Sequence, residues 1–473
     1  MRSAYDGQQV REAEQALMGR LPDGALMQRA AAGLVVVCAR LLGRVYGSRV
    51  LLLVGSGNNG GDALYAGALL AARGSRVDAL LLTDSAHEQG LAALRRAGGR
   101  VVRDFRSASV PDLVVDGILG IGGRGGLRDP AAEVVNDLPG EALVVAVDVP
   151  SGVDASTGEV AGVAVEADVT VTFGAIKSGL LVDPGAAYAG VVELIDIGLD
   201  LPEATVEVLQ ADDVARLLPR PGRESDKYRR GVVGVAAGSE QYTGAAVLCV
   251  GGAVRAGAGM VRFVGSDAPA TLVRASWPEV VVGEGRVQAW AVGSGSGGDA
   301  AARLDRAMAD DVPVVVDADA LAALAALEGR RARSVPLLLT PHAGELARLV
   351  GADRDDIEAR RLHHARAAAR DLDAVVLLKG STTVVARPDG RARINPTGTP
   401  ALATAGSGDV LAGLCGALLA GGLDPFDAGS VAAWLHGLAG RLAADGGTPV
   451  SASDVLAALP RAVSVVGVAG VGH

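Results

Sequence analysis

The sequence has very few aromatic side chains: Phe, Trp and Tyr make up 3% of its 473 residues. Its core must therefore be built mainly from Ala, Val and Leu, within a hydrophobic content of 49%. Cysteine is scarce too. Cys38, Cys249 and Cys415 each sit in an apolar or glycine-rich run and share no metal-ligand spacing. That excludes a disulfide framework and a zinc knuckle, and fits buried, reduced thiols in a cytoplasmic protein. There is no basic block. The net charge is −10, the arginines are dispersed, and the densest cluster, Arg220 to Arg230, also carries Glu224 and Asp226. General nucleic-acid binding is therefore not expected. Residues 1–20 are polar and charged, without the apolar centre of a signal peptide. No run reaches membrane-spanning length without charge or frequent glycine, and the apolar tail Val463 to Val471 is too short to span.

What the chain has in abundance is glycine, 66 residues, with 20 prolines. Its length predicts two or three domains. Short apolar runs that read as strands alternate with helix-like segments. That pattern predicts an α/β fold with largely parallel sheets, in which ligands bind beyond the carboxyl ends of the strands.

In the first half, Gln8 to Met18 and Ala25 to Leu42 have helical spacing. The strand Arg49 to Val54 runs into Gly55-Ser-Gly-Asn-Asn-Gly-Gly-Asp62, a glycine loop, and Ala63 to Ala72 reads as the following helix. The loop formally satisfies the dinucleotide fingerprint, a weak signal by itself. Further strands are expected at Arg76 to Leu82, Leu113 to Asp116, Leu143 to Asp148, Asp168 to Phe173 and Val191 to Ile197. Polar elements follow three strand ends: Asn58-Asn59-Gly60-Gly61-Asp62, then Asp116 with Gly120-Ile121-Gly122-Gly123-Arg124-Gly125-Gly126, then Asp148-Val-Pro-Ser151. Oxygens of Asn59, Asp116 and Ser151 could share a hard cation, and the glycine run could take phosphates. Equally, each could be an ordinary turn, where Gly, Asn, Asp and Ser are common.

These motifs, with Thr172-Phe-Gly-Ala-Ile-Lys-Ser-Gly-Leu180, resemble the NAD(P)H-hydrate epimerase domain over roughly residues 5 to 205. The resemblance implies that Asn58 to Asp62, Gly120 to Gly126 and Asp148 contact the hydrated nucleotide. It also implies that Asn59, Asp116 and Ser151 hold potassium. Lys177 falls where the family usually reads Pro-Lys, with Ile176 here in place of the proline. Lys177 and Asp148 are the acid–base candidates.

Pro202 to Arg223 is rich in Pro, Arg and acidic residues and reads as the approach to a boundary, with a helical patch at Ala211 to Leu218. The expected domains are 1–210 and 211–473. Strands resume at Gly231 to Ala237, Val261 to Val264, Ala289 to Val292, Val312 to Asp317, Leu337 to Thr340 and Ala374 to Lys379. Gly238 to Ala246 reads as a loop and Ala246 to Ala256 as a helix. Chemistry-capable groups sit at five strand ends or loops: Gly293-Ser-Gly-Ser-Gly297, Asp317-Ala-Asp319, Thr340-Pro-His342-Ala-Gly-Glu345, Lys379-Gly380-Ser381-Thr382-Thr383 and Gly406-Ser-Gly408-Asp409. Taken singly, His342 could be a loop histidine, Glu345 a first-turn acid and Lys379 a surface lysine. Asp409 could be a helix N-cap, or a general base at the mouth of an anion-binding helix start. Together the groups describe an anion hole, a base, acids and a nucleotide-side lysine.

Their order and wording resemble the ADP/ATP-dependent NAD(P)H-hydrate dehydratase, of the ribokinase-like superfamily, over roughly 220 to 465. Asp226 stands where the family usually has the His of a His-Lys pair before its first strand. The resemblance implies that Ala245, Gly297, His342 and Asp409 face the hydrated nucleotide, and that Lys379 to Thr383 and Gly408 face ADP. It further implies a Rossmann-like half followed by a ribokinase-like half. Magnesium and ADP would serve the dehydratase, and Asp409 would act as base. A homo-oligomer is expected from the glycine-rich α/β surfaces. Three other readings stay open: a small-molecule kinase of the same superfamily, a nucleotide-sensing scaffold, and a hydride-transferring dehydrogenase. Phosphoryl transfer to small alcohols, absence of ADP consumption, and redox chemistry would respectively mark them.

Overall fold

A computed structural model describes residues 1–473 apart from 221, 223, 225, 327–334 and 470–473. The expectations over Pro202 to Arg223 and over the tail to Val471 lie partly outside the described residues. The chain forms two compact units, Ser3–Val206 and Glu207–His473, the second joined by Met1–Arg2.

The Ser3–Val206 unit is built on a seven-stranded parallel sheet. Its spatial order is Arg100–Val102, Arg76–Leu81, Arg49–Val54, Leu113–Gly117, Leu143–Val147, Val169–Phe173, Val191–Ile195. Numbered along the chain from Arg49, that order is 3-2-1-4-5-6-7, the doubly wound arrangement. Its direction reverses between Arg49–Val54 and Leu113–Gly117, which opens a crevice at their carboxyl ends. The strands are apolar on both faces because helices cover both. One of these, Ala25–Leu42, has 18 residues and a mean hydropathy of 1.6, long and apolar enough by composition to cross a membrane. In the fold it buries Ala30, Ala31, Leu34, Val35, Val37 and Cys38 in this unit's core. Its two arginines are paired, Arg29 donating to the Ile197 carbonyl and Arg40 to Glu193.

The second unit carries the parallel strands Val281–Val282, Met260–Phe263, Val232–Ala236, Ala289–Val292, Val314–Val316, Leu337–Leu339 and Val375–Leu378, in that spatial order. The antiparallel strands Val384–Ala386 and Ala392–Ile394 extend it. Here the order reverses between Val232–Ala236 and Ala289–Val292. Helix Ser407–Ala420 is buried from Val410 to its end and lies against helix Thr243–Arg255. Glycines set that spacing. A Cβ on Gly413 would come 1.9 Å from the Cys249 carbonyl oxygen, and one on Gly252 would come 2.2 Å from the Val410 oxygen. All three cysteines are free and buried, as expected.

Two helix starts differ from the sequence reading. The helix after Arg49–Val54 begins at Asn58, not Ala63, so Asn58 to Asp62 form its first turns. The helix expected from Ala246 begins at Thr243. At the first of these the glycines are held in the helix by close packing, which outweighs their weak helical preference. A Cβ on Gly60 would meet the Gly55 oxygen at 2.2 Å, and one on Gly61 the Met27 side chain at 2.8 Å.

Replacing Gly413 by Val should destabilise the second unit by at least about 1–3 kcal/mol, since the helix pair must separate to admit the side chain. Denaturant unfolding of the whole chain, followed at Trp434 in this unit's core, checks this. An unchanged midpoint would refute the close-packing account.

Candidate active sites

In the first unit a cavity of about 610 Å³ opens at the carboxyl end of the sheet. Asn58, Asn59, Asp62, Ile121 and Asp148 are on its wall, so the structure brings together five of the expected nucleotide contacts. Gly60 and Gly61 are buried inside the helix, and Gly120 packs against the Asn59 side chain. Gly122, Gly123, Arg124, Gly125 and Gly126 belong to the loop beyond Ile121 and are not on that wall.

Asp148 has φ +69°, a left-handed backbone uncommon outside glycine. Its carboxylate is held by Lys177, whose Nζ donates to Asp148 Oδ1 at 2.5 Å, to the Phe173 carbonyl at 2.9 Å and to Thr172 Oγ1 at 3.1 Å. An ammonium has three donors, so all are spent. Lys177 is also fully buried and absent from the cavity wall. The ammonium of this acid–base candidate is thus turned to Asp148 and not to the cavity. What it does is orient Asp148. Ile176 and Lys177 form a short strand parallel to Ala4 and Tyr5, so the residue in place of proline lies in a ladder.

Asp62 is buried, and its Oδ1 has no hydrogen-bond partner. Burial, with Asp148 and Glu14 nearby, pushes its pKa well above the usual carboxylate range. Glu14, also on the wall, is pushed up to about 6 by burial and by Asp148. Glu14 was missed in the sequence, where it is one more polar position of an amphipathic helix. Only the fold carries it to the strand ends.

Asn59, Asp116 and Ser151 meet at one node. Ser151 Oγ donates to Asp116 Oδ1 at 2.6 Å and lies 3.2 Å from the Leu119 oxygen, to which Asn59 Nδ2 also donates. The Ser151 and Ile118 amides donate to Asp116 as well. Burial nevertheless pushes Asp116 up to about 6, because no cationic side chain is among its partners.

In the second unit a cavity of about 650 Å³ is lined by His342, Lys379, Gly380, Ser381, Thr383 and Gly408, with the Thr399–Thr404 stretch, Leu411 and His436. Thr382 is off the wall. Its carbonyl accepts from Arg361 Nε at 3.3 Å, and the Lys379 carbonyl from Arg361 Nη2 at 2.6 Å. Buried Arg361, also missed in the sequence, thus pins the Lys379–Thr383 loop from behind.

Lys379 is no surface lysine. Its Nζ donates to Asp317 Oδ1 at 2.9 Å and stands 3.6 Å from Glu345. Burial opposes its charge, but Asp317 and Glu345 outweigh that and hold its pKa above the ordinary value. Ser294 and Thr340 also donate to Asp317. His342 does cap a helix, its Nδ1 accepting from the Gly344 and Glu345 amides, while Glu345 accepts from the His342 amide. Its ring still reaches the cavity.

Asp409 is not the cap of its helix. Gly406, in the left-handed region at φ +87°, is the N-cap, and no side chain caps the first turn. The Ser407 amide donates to the Thr404 carbonyl at 3.4 Å, and the Gly408 and Asp409 amides that follow it are the ones an anion could meet. Asp409 lies in that first turn, largely buried. Burial and the Asp317 charge push its pKa up to about 7. Ala245 lies in the first turn of Thr243–Arg255, and its Cβ would be 2.7 Å from one on Gly295. Gly297 has φ +57° and donates its amide to Asp319. Ala245, Gly297 and Asp409 are not on the wall of the 650 Å³ cavity, whereas His342 is; Asp409 is still close enough to Lys379 to feel its charge.

Residues 233–461 match the family model described as NAD(P)H-hydrate dehydratase, and residues 23–179 that described as YjeF-related protein N-terminus. The bifunctional NAD(P)H-hydrate repair enzyme of Mycobacterium leprae is 48% identical, over 98% of this chain and 100% of its own. That of Moorella thermoacetica is 37% identical, over 93% and 92%. Among solved structures, the ADP/ATP-dependent NAD(P)H-hydrate dehydratase of Bacillus subtilis, co-crystallized with ATP and Mg2+, superposes with TM-score 0.52 at 32% identity, over 55% of this chain and 99% of that one. On these matches, which together run nearly end to end, the chain belongs to the bifunctional NAD(P)H-hydrate repair enzymes.

Proposed function

We propose that the two cavities divide this repair between them, the first unit epimerising the hydrated nucleotide and the second dehydrating the epimer it accepts, with ADP as phosphoryl donor. The observation that carries the second step is Asp409: a carboxyl raised to about 7, one turn into a helix whose leading amides are uncapped.

Hydrated NADH or NADPH bears a hydroxyl on its reduced ring, and hydroxide leaves poorly. Asp409 takes the hydroxyl proton as the oxygen attacks the terminal phosphorus of ADP, which releases AMP. The amides of the Gly406–Gly408 stretch face the phosphoryl oxygens during transfer. Phosphate then leaves as the ring loses a proton, and the dihydronicotinamide is restored. Lys379, Gly380, Ser381, Thr382, Thr383 and Gly408 hold the ADP side, and Ala245, Gly297 and His342 the hydrated nucleotide. Among the described residues no three His, Cys, Asp or Glu side chains converge as a metal cage. Magnesium therefore fits as an ion carried on the nucleotide phosphates, where it would offset their charge.

In the first unit, inversion at the hydroxyl-bearing carbon needs a proton delivered as a bond opens and one withdrawn as it closes on the other face. Asp62, whose pKa burial raises well above the usual carboxylate range, delivers it. Asp148, held by Lys177, withdraws it. One buried carboxylate with a hydroxyl and carbonyl oxygens is a donor set suited to a singly charged hard cation, so potassium would be held by Asp116, Ser151 and the Asn59 neighbourhood. It would supply the positive charge that Asp116 lacks.

Return of reduced-nicotinamide absorbance from chemically hydrated NADPH, with ADP and magnesium, tests the second step. Asp409→Asn should lower turnover about a thousandfold while ADP binding persists. Because Asp409 must be ionised to act, wild-type turnover should fall about tenfold per pH unit below its pKa of about 7. Normal turnover by the variant, or a flat profile from pH 5 to 8, would overturn its role as base.

The first step is tested with the mixed epimers. In potassium the whole pool should be recovered faster than spontaneous epimerisation allows. With choline as the sole monovalent cation, or with Asp116→Ala, recovery should stop at the epimer that the second unit accepts and then creep at the enzyme-free rate. Full fast recovery under both conditions would refute the cation site.

A further inference from the structure

His436 is assigned no part in the chemistry above, yet its setting is unusual. It lies on helix Pro425–Ala443, whose inner face is core. It is 6% exposed, and the ring lines the 650 Å³ cavity beside Leu402, Ala403, Thr404, Ser407 and Leu411. Its Nε2 is buried and has no hydrogen-bond partner. A buried imidazole nitrogen left without a partner is costly, and few survive in folded proteins without a use.

The other ring nitrogen is engaged by the backbone of Ser407, and that bond favours the protonated ring. A backbone group that does so is a carbonyl accepting the ring N–H, since an amide N–H would favour the bare nitrogen. Burial pushes the pKa down to about 4, so the ring is neutral near pH 7. A neutral ring with its proton on Nδ1 leaves Nε2 a bare acceptor. The group missing from Nε2 is therefore a donor. Water could fill such a place, but the phosphates of a nucleotide could not, for they only accept. A nucleoside offers two kinds of donor: ribose hydroxyls and the exocyclic amine of adenine.

We propose that His436 is a nucleoside-recognition residue of the ADP site, its Nε2 accepting a hydrogen bond from the adenosine moiety. This deepens the reading of the cavity as the ADP pocket and rests on it. His436 also ties recognition to chemistry. The ring bonded to Ser407 touches the first residue of the helix whose amides face the phosphoryl group, so a nucleoside seated on Nε2 is registered against that helix start.

The test is calorimetric titration of the full chain with ADP and magnesium, alongside 2′-deoxy-ADP, 3′-deoxy-ADP and the diphosphate of purine riboside, which lacks the 6-amino group. Wild type should bind ADP and bind one of these analogues roughly tenfold more weakly, which identifies the donor. His436→Leu keeps apolar bulk but removes the acceptor. It should bind ADP roughly tenfold more weakly and no longer distinguish that analogue from ADP. His436→Gln, which retains an acceptor, should restore part of the discrimination. Thermal unfolding without nucleotide shows whether each variant is folded. If wild type binds no ADP, the reading of the cavity falls and this proposal with it. If wild type binds ADP and folded His436→Leu binds it equally well with unchanged discrimination, the cavity reading stands and His436 is only a core residue.

Discussion

The second site depends on how closely two helices can approach. Ser407–Ala420 carries the anion-binding amides and Asp409 at its start, and everything from Val410 onward is buried. Its depth is set by Thr243–Arg255, where Gly252 and Gly413 let backbone lie against backbone. Larger residues would lift the helix start away from Asp317 and Lys379. The scarcity of aromatics thus has a structural meaning. Large side chains would fill the core, but they would hold the helices apart and blunt the position of the turn that carries Asp409.

Both sites place a lysine among carboxylates, and in neither is that lysine free. Lys177 is used up by Asp148, Thr172 and Phe173, and Lys379 is shared by Asp317 and Glu345. A buried charge pair adds little net stability, but removing one partner strands the other. Its value here is positional. Each lysine fixes a carboxylate in one orientation, while the neighbouring carboxyls of Asp62 and Asp409, which no lysine bonds, are driven upward. Each site therefore sets a lysine-bonded carboxyl beside one whose pKa is raised, which one environment applied to both would not produce.

The sequence displayed what lies along one stretch of chain. Strand, polar turn and helix are local signals, so the strand ends bearing Asp116, Asp148, Asp317 and Lys379 were legible. The α/β class followed from their alternation. Long-range facts were not. Glu14 and Asp62 are 48 residues apart, and nothing local says that they share a cavity. Arg361 looks like any helix arginine until the Lys379–Thr383 loop is folded over it. Lys177 looked reactive because a lysine beside a glycine turn usually reaches outward, and only the three-dimensional partners show it spent. The helix start at Asn58 was hidden because glycines read as loop, whereas this fold uses them for contact.

The opposite demands on the two sites bear on why their carboxyls sit near neutrality. A base that is too acidic takes a proton poorly, and one that is too basic is already protonated; about 7 for Asp409 is a compromise between the two. In the first site burial raises Asp62 too, and the Asp148 and Glu14 charges add to it. The difference lies in the company each keeps. Asp62 has Asp148 and Glu14 beside it, both acidic, whereas Asp409 has Lys379 to offset Asp317. The Ser294 hydroxyl and the Lys379 ammonium thus hold Asp409 down against burial, while the charges beside Asp62 add to it.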